Sequence, residues 1–182
     1  MNPLEIIQKY YEPDSKAWYF LAHHSRLVSR KALEIAGKVR HLNPDMRFIE
    51  EAAMLHDIGI FYTKAPRLGC FGYRDYLCHG YLGRELLEKE GLPRHAPVCE
   101  RHVGMGITLQ EIKDKSLPLP QREMMPLSTE EKIVCLADKF FSKSDDDLLH
   151  EKPLERVREM IAAYGEDKLA TFDEWLILFK VL

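Results

Sequence analysis

Residues 55–60 read LHDIGI, a titratable His56 and a charged Asp57 inside an otherwise apolar run. The preceding stretch, DMRFIEEAAMLHD (45–57), has helical periodicity: Phe48, Ile49, Ala52 and Leu55 form one apolar stripe. At about 100° per residue, His56 falls within about 40° of the centre of that stripe. Asp57 lies further round, where the helix ends. A carboxylate and an imidazole turned inward are costly unless something compensates them. A divalent cation does so, by neutralising the carboxylate and taking the imidazole lone pair. A hydrogen-bonded His–Asp pair without metal is the alternative.

Other helices carry the same anomaly. In SKAWYFLAHHSRLVSRKALEIAGKVRHL (15–42), Trp18, Leu21, Ser25, Val28, Ala32, Ile35 and Val39 share a face. His24 lies about 60° from its centre and His23 about 160° away, so His24 is expected inside and His23 in water. His79 opens the helix HGYLGRELLEKEG (79–91), which Gly91 ends. His102 closes a short helix in PRHAPVCERHVG (93–104). Asp138 sits in STEEKIVCLADKFFSKS (128–144), flanked by Leu136, Ala137, Phe140 and Phe141. A common partner accounts for these buried polar residues more simply than several private ones. His23, His41, His95 and His150 are expected to be non-ligands.

The rest of the chain is read as helical, with few strand signals. Asn2-Pro3 opens a short helix, with Glu5 placed for a capping box. Asn43-Pro44 restarts the chain. Residues 59–78 form a loop rich in Gly and Pro, and 104–127 a partly ordered excursion. Ser128 and Glu131 make a capping box. KPLERVREMIAAYG (152–165) and TFDEWLILFKVL (171–182) are expected as two C-terminal helices, the second capped by Thr171 and Glu174. Its last eight residues also have strand-like composition. The expectation is one all-α domain over 1–182, with a core at about 18–143 and the helices of 153–182 packed on it. SDDD at 144–147 is read as a solvated loop.

Bulk properties narrow the function. Hydrophobic residues make up 46% of the 182 and charged residues 30%, ordinary values for a globular protein. A net charge of −3 gives no electrostatic reason to expect nucleic-acid binding. The four cysteines form no C-x-x-C, and no segment resembles a signal peptide or reaches the roughly 20 apolar residues of a membrane span. The expected location is cytoplasmic, with no membrane partner.

The order H…HD…H…H…D, carried by His24, His56-Asp57, His79, His102 and Asp138, resembles the HD-domain (HDIG-type) superfamily of metal-dependent phosphohydrolases. AHHSRLVSRKALEIA resembles its first-His helix, AAMLHDIG its central motif and KIVCLADKF its final Asp helix. The resemblance covers about residues 18–143. It implies an all-helical bundle around a mono- or binuclear metal site. His24, His56, Asp57 and Asp138 would hold one ion, His79 and His102 a second, with Asp57 bridging. The metal would be iron, manganese, zinc, nickel or cobalt; ligand type does not choose among them. The Gly-Tyr-Pro signature of the cyclic-di-GMP phosphodiesterases is missing, since HGYLG has Gly80-Tyr81 but no Pro.

The implied reaction is hydrolysis of a phosphoester or pyrophosphate bond by metal-bound hydroxide, on a nucleotide or small phosphorylated metabolite. Asp57 and Lys64 are the catalytic candidates. Lys64, Arg67, Arg101 and Lys139 are the candidates for holding phosphate, and Tyr62, Tyr73 and Tyr76 could stack on a base. Two alternatives stay open: a mixed-valent di-iron oxygenase of the myo-inositol oxygenase type, acting on a polyol or phosphonate, and a non-catalytic nucleotide-sensing module. Self-association also stays open.

Overall fold

The computed structural model describes residues 1–143 and 149–182, so the SDDD run lies outside the described residues. Among the described residues there are nine α-helices and one two-stranded hairpin. Helix α1 (Pro3–Ile7) is capped by Asn2, whose side chain also reaches Glu5. Helix α2 (Lys16–Lys38) is capped by Ser15 and buries Leu21, His24, Ser25, Val28, Ala32 and Ile35. It stops at Lys38 and not at Leu42; residues 40–42 make a 3-10 turn that ends on left-handed Asn43. Helix α3 (Met46–Leu55) packs against α2. It also stops short, so that Asp57, at φ −104° and ψ 6°, lies just outside the helix.

The segment after Asp57 is tighter than a plain loop. A 3-10 turn over Ile58–Tyr62 leads into β1 (Lys64–Ala65), which pairs antiparallel with β2 (Cys70–Phe71). The turn is clamped by Tyr11, whose hydroxyl donates to the Ile58 carbonyl at 2.8 Å and accepts from Phe61 N–H at 2.7 Å. Gly59 presses against α4 (His79–Lys89). A Cβ there would lie 2.1 Å from the His79 carbonyl oxygen and 2.3 Å from Gly83 N. The glycine of LHDIGI therefore lets the HD turn dock on the helix that carries His79.

Helices α5 (Ala96–Arg101) and α7 (Thr129–Lys139) complete the group that surrounds the polar cluster. Ser128 caps α7, but the return bond of a capping box is absent, because Glu131 turns to Arg101. The stretch 104–127 is more ordered than its breakers suggested. Helix α6 (Leu109–Asp114) starts with a full capping box, Thr108 with Glu111. Ile107 and Met124 exchange backbone hydrogen bonds, and Arg122 reaches buried Glu100. Buried Lys168 donates to the Gly106 carbonyl and to Glu111. Composition does not reveal the anchors at Glu100 and Lys168, since both lie outside this stretch.

Helices α8 (Leu154–Ala162) and α9 (Glu166–Leu178) pack on α7 through Val157, Ile161, Phe172, Trp175 and Phe179. The start expected at Thr171 is overturned. The helix begins five residues earlier, after Gly165, and the Thr171 hydroxyl donates to the Asp167 carbonyl within it. The strand-like composition of the last eight residues is likewise overridden, with helix through Leu178. Packing of Trp175, Leu176 and Phe179 into the core decides the matter. No helix among the described residues is long and apolar enough to cross a membrane.

Gly59→Ala should destabilise the fold by about 2–4 kcal/mol, because the added methyl meets backbone and cannot be relieved by a side-chain rotation. Urea denaturation measures this, and a loss under about 0.5 kcal/mol would refute the close packing.

Candidate metal centre

Five separate elements deliver side chains to one point. His24 comes from the middle of α2, His56 and Asp57 from the end of α3, His79 from the first residue of α4, His102 from the C-cap of α5, and Asp138 from the last turn of α7. His24, His56 and Asp57 are fully buried, and His79, His102 and Asp138 nearly so. The structure thus brings together all six residues singled out from the sequence. His23 turns outward and bonds the Tyr19 carbonyl, while His95 pairs with Glu51. His41 and His150 are exposed.

The six fall into two groups that share Asp57. In the first, His24 Nε2 lies 3.3 Å from Asp57 Oδ2 and 3.0 Å from Asp138 Oδ1. His56 Nε2 lies 3.2 Å and 3.4 Å from the same two oxygens. In the second, His79 Nε2 and His102 Nε2 lie 3.3 Å and 3.4 Å from Asp57 Oδ1, and 3.2 Å from each other. Ligands about 2.1 Å from a metal are separated by about 3.0 Å in an octahedron and about 3.4 Å in a tetrahedron. The observed spacings fall in that interval.

The backbone sets the protonation of three of these rings. Nδ1 of His56, His79 and His102 lies 2.6, 2.6 and 2.7 Å from the carbonyl oxygens of Ala53, Tyr76 and Cys99. A carbonyl only accepts, so each Nδ1 carries the hydrogen. In the neutral ring the lone pair is then on Nε2, which faces the cluster. His79 and His102 therefore aim two lone pairs at each other across 3.2 Å, a repulsive arrangement that a cation between them would relieve. His24 differs, since its Nδ1 has no hydrogen-bond partner. The donor set fits a metal, and the six residues could hold one or two ions.

Burial pushes the His24 and His79 imidazoles down to about 4 and about 3, so both are neutral at physiological pH. Burial also lowers His102. For His56, burial opposes the charge but the Asp57 and Asp138 carboxylates outweigh it, raising the ring to about 9. Burial alone would raise both carboxyls. Lys143 and His56 hold Asp57 well below the usual range, and Lys139 and Lys143 do the same for Asp138.

The predicted phosphate-holding residues are scattered. Lys64 and Arg67 are exposed on the hairpin segment. Arg101 Nη1 is bound to both oxygens of Glu131 at 2.9 and 3.0 Å, which ties α5 to α7. Lys139 lies against the cage: its Nζ donates to Asp138 Oδ2 at 2.7 Å and to the His102 carbonyl at 2.9 Å. It orients Asp138 so that Oδ1 faces His24 and His56. Sequence reasoning missed Lys143, whose Nζ is 2.7 Å from Asp57 Oδ2. Five residues beyond Asp138, it lies about 140° away on a helical wheel. It reaches the cage because α7 ends at Lys139.

The comparisons agree with this geometry. The family model described as HD domain matches residues 21–142. The chain belongs to the HD domain family. The segment is 30% identical over 140 residues to a tRNA (cytidine(56)-2'-O)-methyltransferase of Thermoplasma volcanium, covering 76% of this chain and 35% of that protein. It is 32% identical over 121 residues to an uncharacterized protein of Methanocaldococcus jannaschii, covering 65% of this chain and 64% of that one. A methyltransferase of the same name from Picrophilus torridus is 36% identical over 99 residues, 54% of this chain and 25% of its own length. The chain thus spans less than two thirds of each of these relatives. Among solved structures, the HD domain of the L. monocytogenes phosphodiesterase PgpH matches with a TM-score of 0.53 at 16% identity, over 97% of this chain and 95% of that one. At that identity the likeness is one of fold.

Two measurements test the cage. Asp57→Ala should lose metal from both groups, His56→Ala from the first only and His102→Ala from the second only, as read by elemental analysis. Undiminished metal in Asp57→Ala would rule out its bridging role. In the metal-free protein the His56 imidazolium prevails below pH about 9. An ion entering the first group must displace that proton, so affinity should rise with pH up to about 9, with roughly one proton released per ion. Calorimetry in two buffers of different protonation enthalpy reads the proton count, and zero release at pH 7 would contradict a protonated His56.

Proposed function

We propose that this HD domain is a metal-dependent phosphohydrolase. It would cleave a phosphoester or pyrophosphate bond in a nucleotide or small phosphorylated metabolite. The observation that carries the reading is the pair of donor groups sharing Asp57, with Nε2 lone pairs aimed inward. Two divalent ions bound there would supply Lewis acidity at a phosphoryl oxygen and lower the pKa of a shared water.

The chain's own residues have definite parts in this scheme. Asp57 presents one oxygen to each group, so it holds the two positions at a fixed separation. The carbonyls of Ala53, Tyr76 and Cys99 keep three imidazoles in the ligating tautomer. Lys139 holds the Asp138 carboxylate in register. Buried apolar neighbours such as Leu55, Ile58 and Cys99 keep bulk water from the inner side of the cage. Water would add to phosphorus as the bond to the leaving oxygen breaks. No covalent protein nucleophile is required. Lys64 and Arg67, exposed after the HD turn, are proposed to meet more distant parts of the substrate.

We place the enzyme in the cytoplasm, acting on a small molecule and not on nucleic acid or a membrane. Four buried, unpaired thiols support that location. The methyltransferase activity in the names of two relatives belongs to proteins of which this chain spans about a third and a quarter, and it is not part of the proposal.

The test is an assay of metal-loaded protein on phosphomonoesters, nucleotides and dinucleoside polyphosphates, in air and anaerobically. Phosphate release should be independent of oxygen. Asp138→Ala should lower kcat more than about 100-fold, since even the partners that orient ligands are worth about 10- to 100-fold. Oxygen-dependent consumption of a polyol or phosphonate would replace this reading with the oxygenase. Tight nucleotide binding without turnover would replace it with a sensor.

A further inference from the structure

Around the cage, two carboxylates, Asp57 and Asp138, face two ammonium groups, Lys139 and Lys143. Once a metal ion has displaced the His56 proton, all four imidazoles are neutral and these charges cancel. Each divalent ion adds two positive charges, so a loaded cage favours an anion as its ligand. The two lysines are placed very differently. Lys139 is held by Asp138 and by the His102 carbonyl. Among the described residues, Lys143 makes its ion pairs to the carboxylates, at 2.7 Å to Asp57 Oδ2 and 3.9 Å to Asp138 Oδ1. Its charge also acts on Tyr76, a partly exposed residue whose ring packs on His79.

Lys143 also has the most exposed side chain among the charged groups described at the cage. Asp57, His24 and His56 side chains have no exposed surface, whereas the Lys143 side chain is 18% exposed. A ligand approaching from that side meets Lys143 before it meets Asp57. An ion bound to Asp57 Oδ2 would compete with the ammonium for the same oxygen. The four-carbon stem of lysine lets the charge turn to a new partner without backbone movement.

We propose that Lys143 is the anion-binding group of this site: once cations occupy the cage, its ammonium leaves Asp57 and holds a phosphoryl oxygen of the substrate. This rests on the phosphohydrolase reading and adds a specific residue to it. Lys143 supplies a charge where a neutral polyol would need only hydrogen bonds. It therefore favours a ligand with a charged phosphoryl group close to the ions.

The experiment is titration of manganese-loaded protein with inorganic phosphate, for the wild type, Lys143→Met, Lys143→Gln and Lys143→Arg. Manganese content and thermal midpoint are measured alongside. Lys143→Met and Lys143→Gln should load manganese at least as well as the wild type, because a competing cation has been removed. Their phosphate Kd should rise roughly tenfold, and Lys143→Arg should stay within about threefold of the wild type. Phosphate affinity unchanged in both neutral variants would overturn the proposal. So would loss of manganese in them, since that assigns Lys143 to holding the cage together. If the protein hydrolyses no phosphoester but the phosphate affinities change as stated, the enzymatic reading fails and the anion site stands.

Discussion

A carboxylate with no solvent exposure is the constraint on which the rest of this structure depends. Asp57 sits among four imidazoles, and burial alone would drive it to the neutral form. Cationic charge has to be brought to it. The fold does so with Lys143, with the protonated His56 and with a donor arrangement spaced for divalent ions. Replacing such a cluster with apolar side chains would often cost a fold nothing. Its presence therefore argues for chemistry, and the phosphohydrolase reading follows from the chemistry that inward-facing nitrogen and oxygen donors can do.

The scaffold works by pinning short elements whose ends carry the ligands. Gly59 brings the HD turn against α4, and Tyr11 clamps the same turn from the other side. Arg101 and Glu131 tie α5 to α7, fixing His102 relative to Asp138. Lys139 repeats that link next to the cage. Three of the histidines use the carbonyl of the residue three positions earlier, so their rings are set by local backbone and not by distant side chains. The C-terminal helices extend the core and, through Lys168, hold the 106–111 stretch in place.

Much of this was legible in the chain. The polar residues His24, His56 and Asp138 stood out because they interrupt apolar helical stripes, and a helical wheel separated His24 from His23. The helices with strong periodicity, α2, α3, α4 and α7, appear where expected. Their ends moved by a few residues, and the ends matter here because Asp57 and His102 lie just past them. Short α6 was hidden among prolines, and the start of α9 was misplaced because a Thr-x-x-Glu pattern also occurs inside helices. The basic residues were the hardest to read. A lysine or arginine in a helix has a long reach, and its partner depends on which neighbour packs beside it. Arg101 went to Glu131 and Lys139 to Asp138 for that reason.

By itself, the sequence determined which residues are too polar for the places that periodicity assigns them. That follows from local geometry, since 100° per residue fixes a side chain's direction from its neighbours. It also determined the family, through the order of those residues along the chain. Only the tertiary structure decided that they meet, that Asp57 serves two groups with its two oxygens, and that Lys143 stands over it. Those facts depend on how separate elements end and pack. The turn of the chain beyond Lys139, which carries Lys143 back to the cage, has no periodic signature from which it could be read.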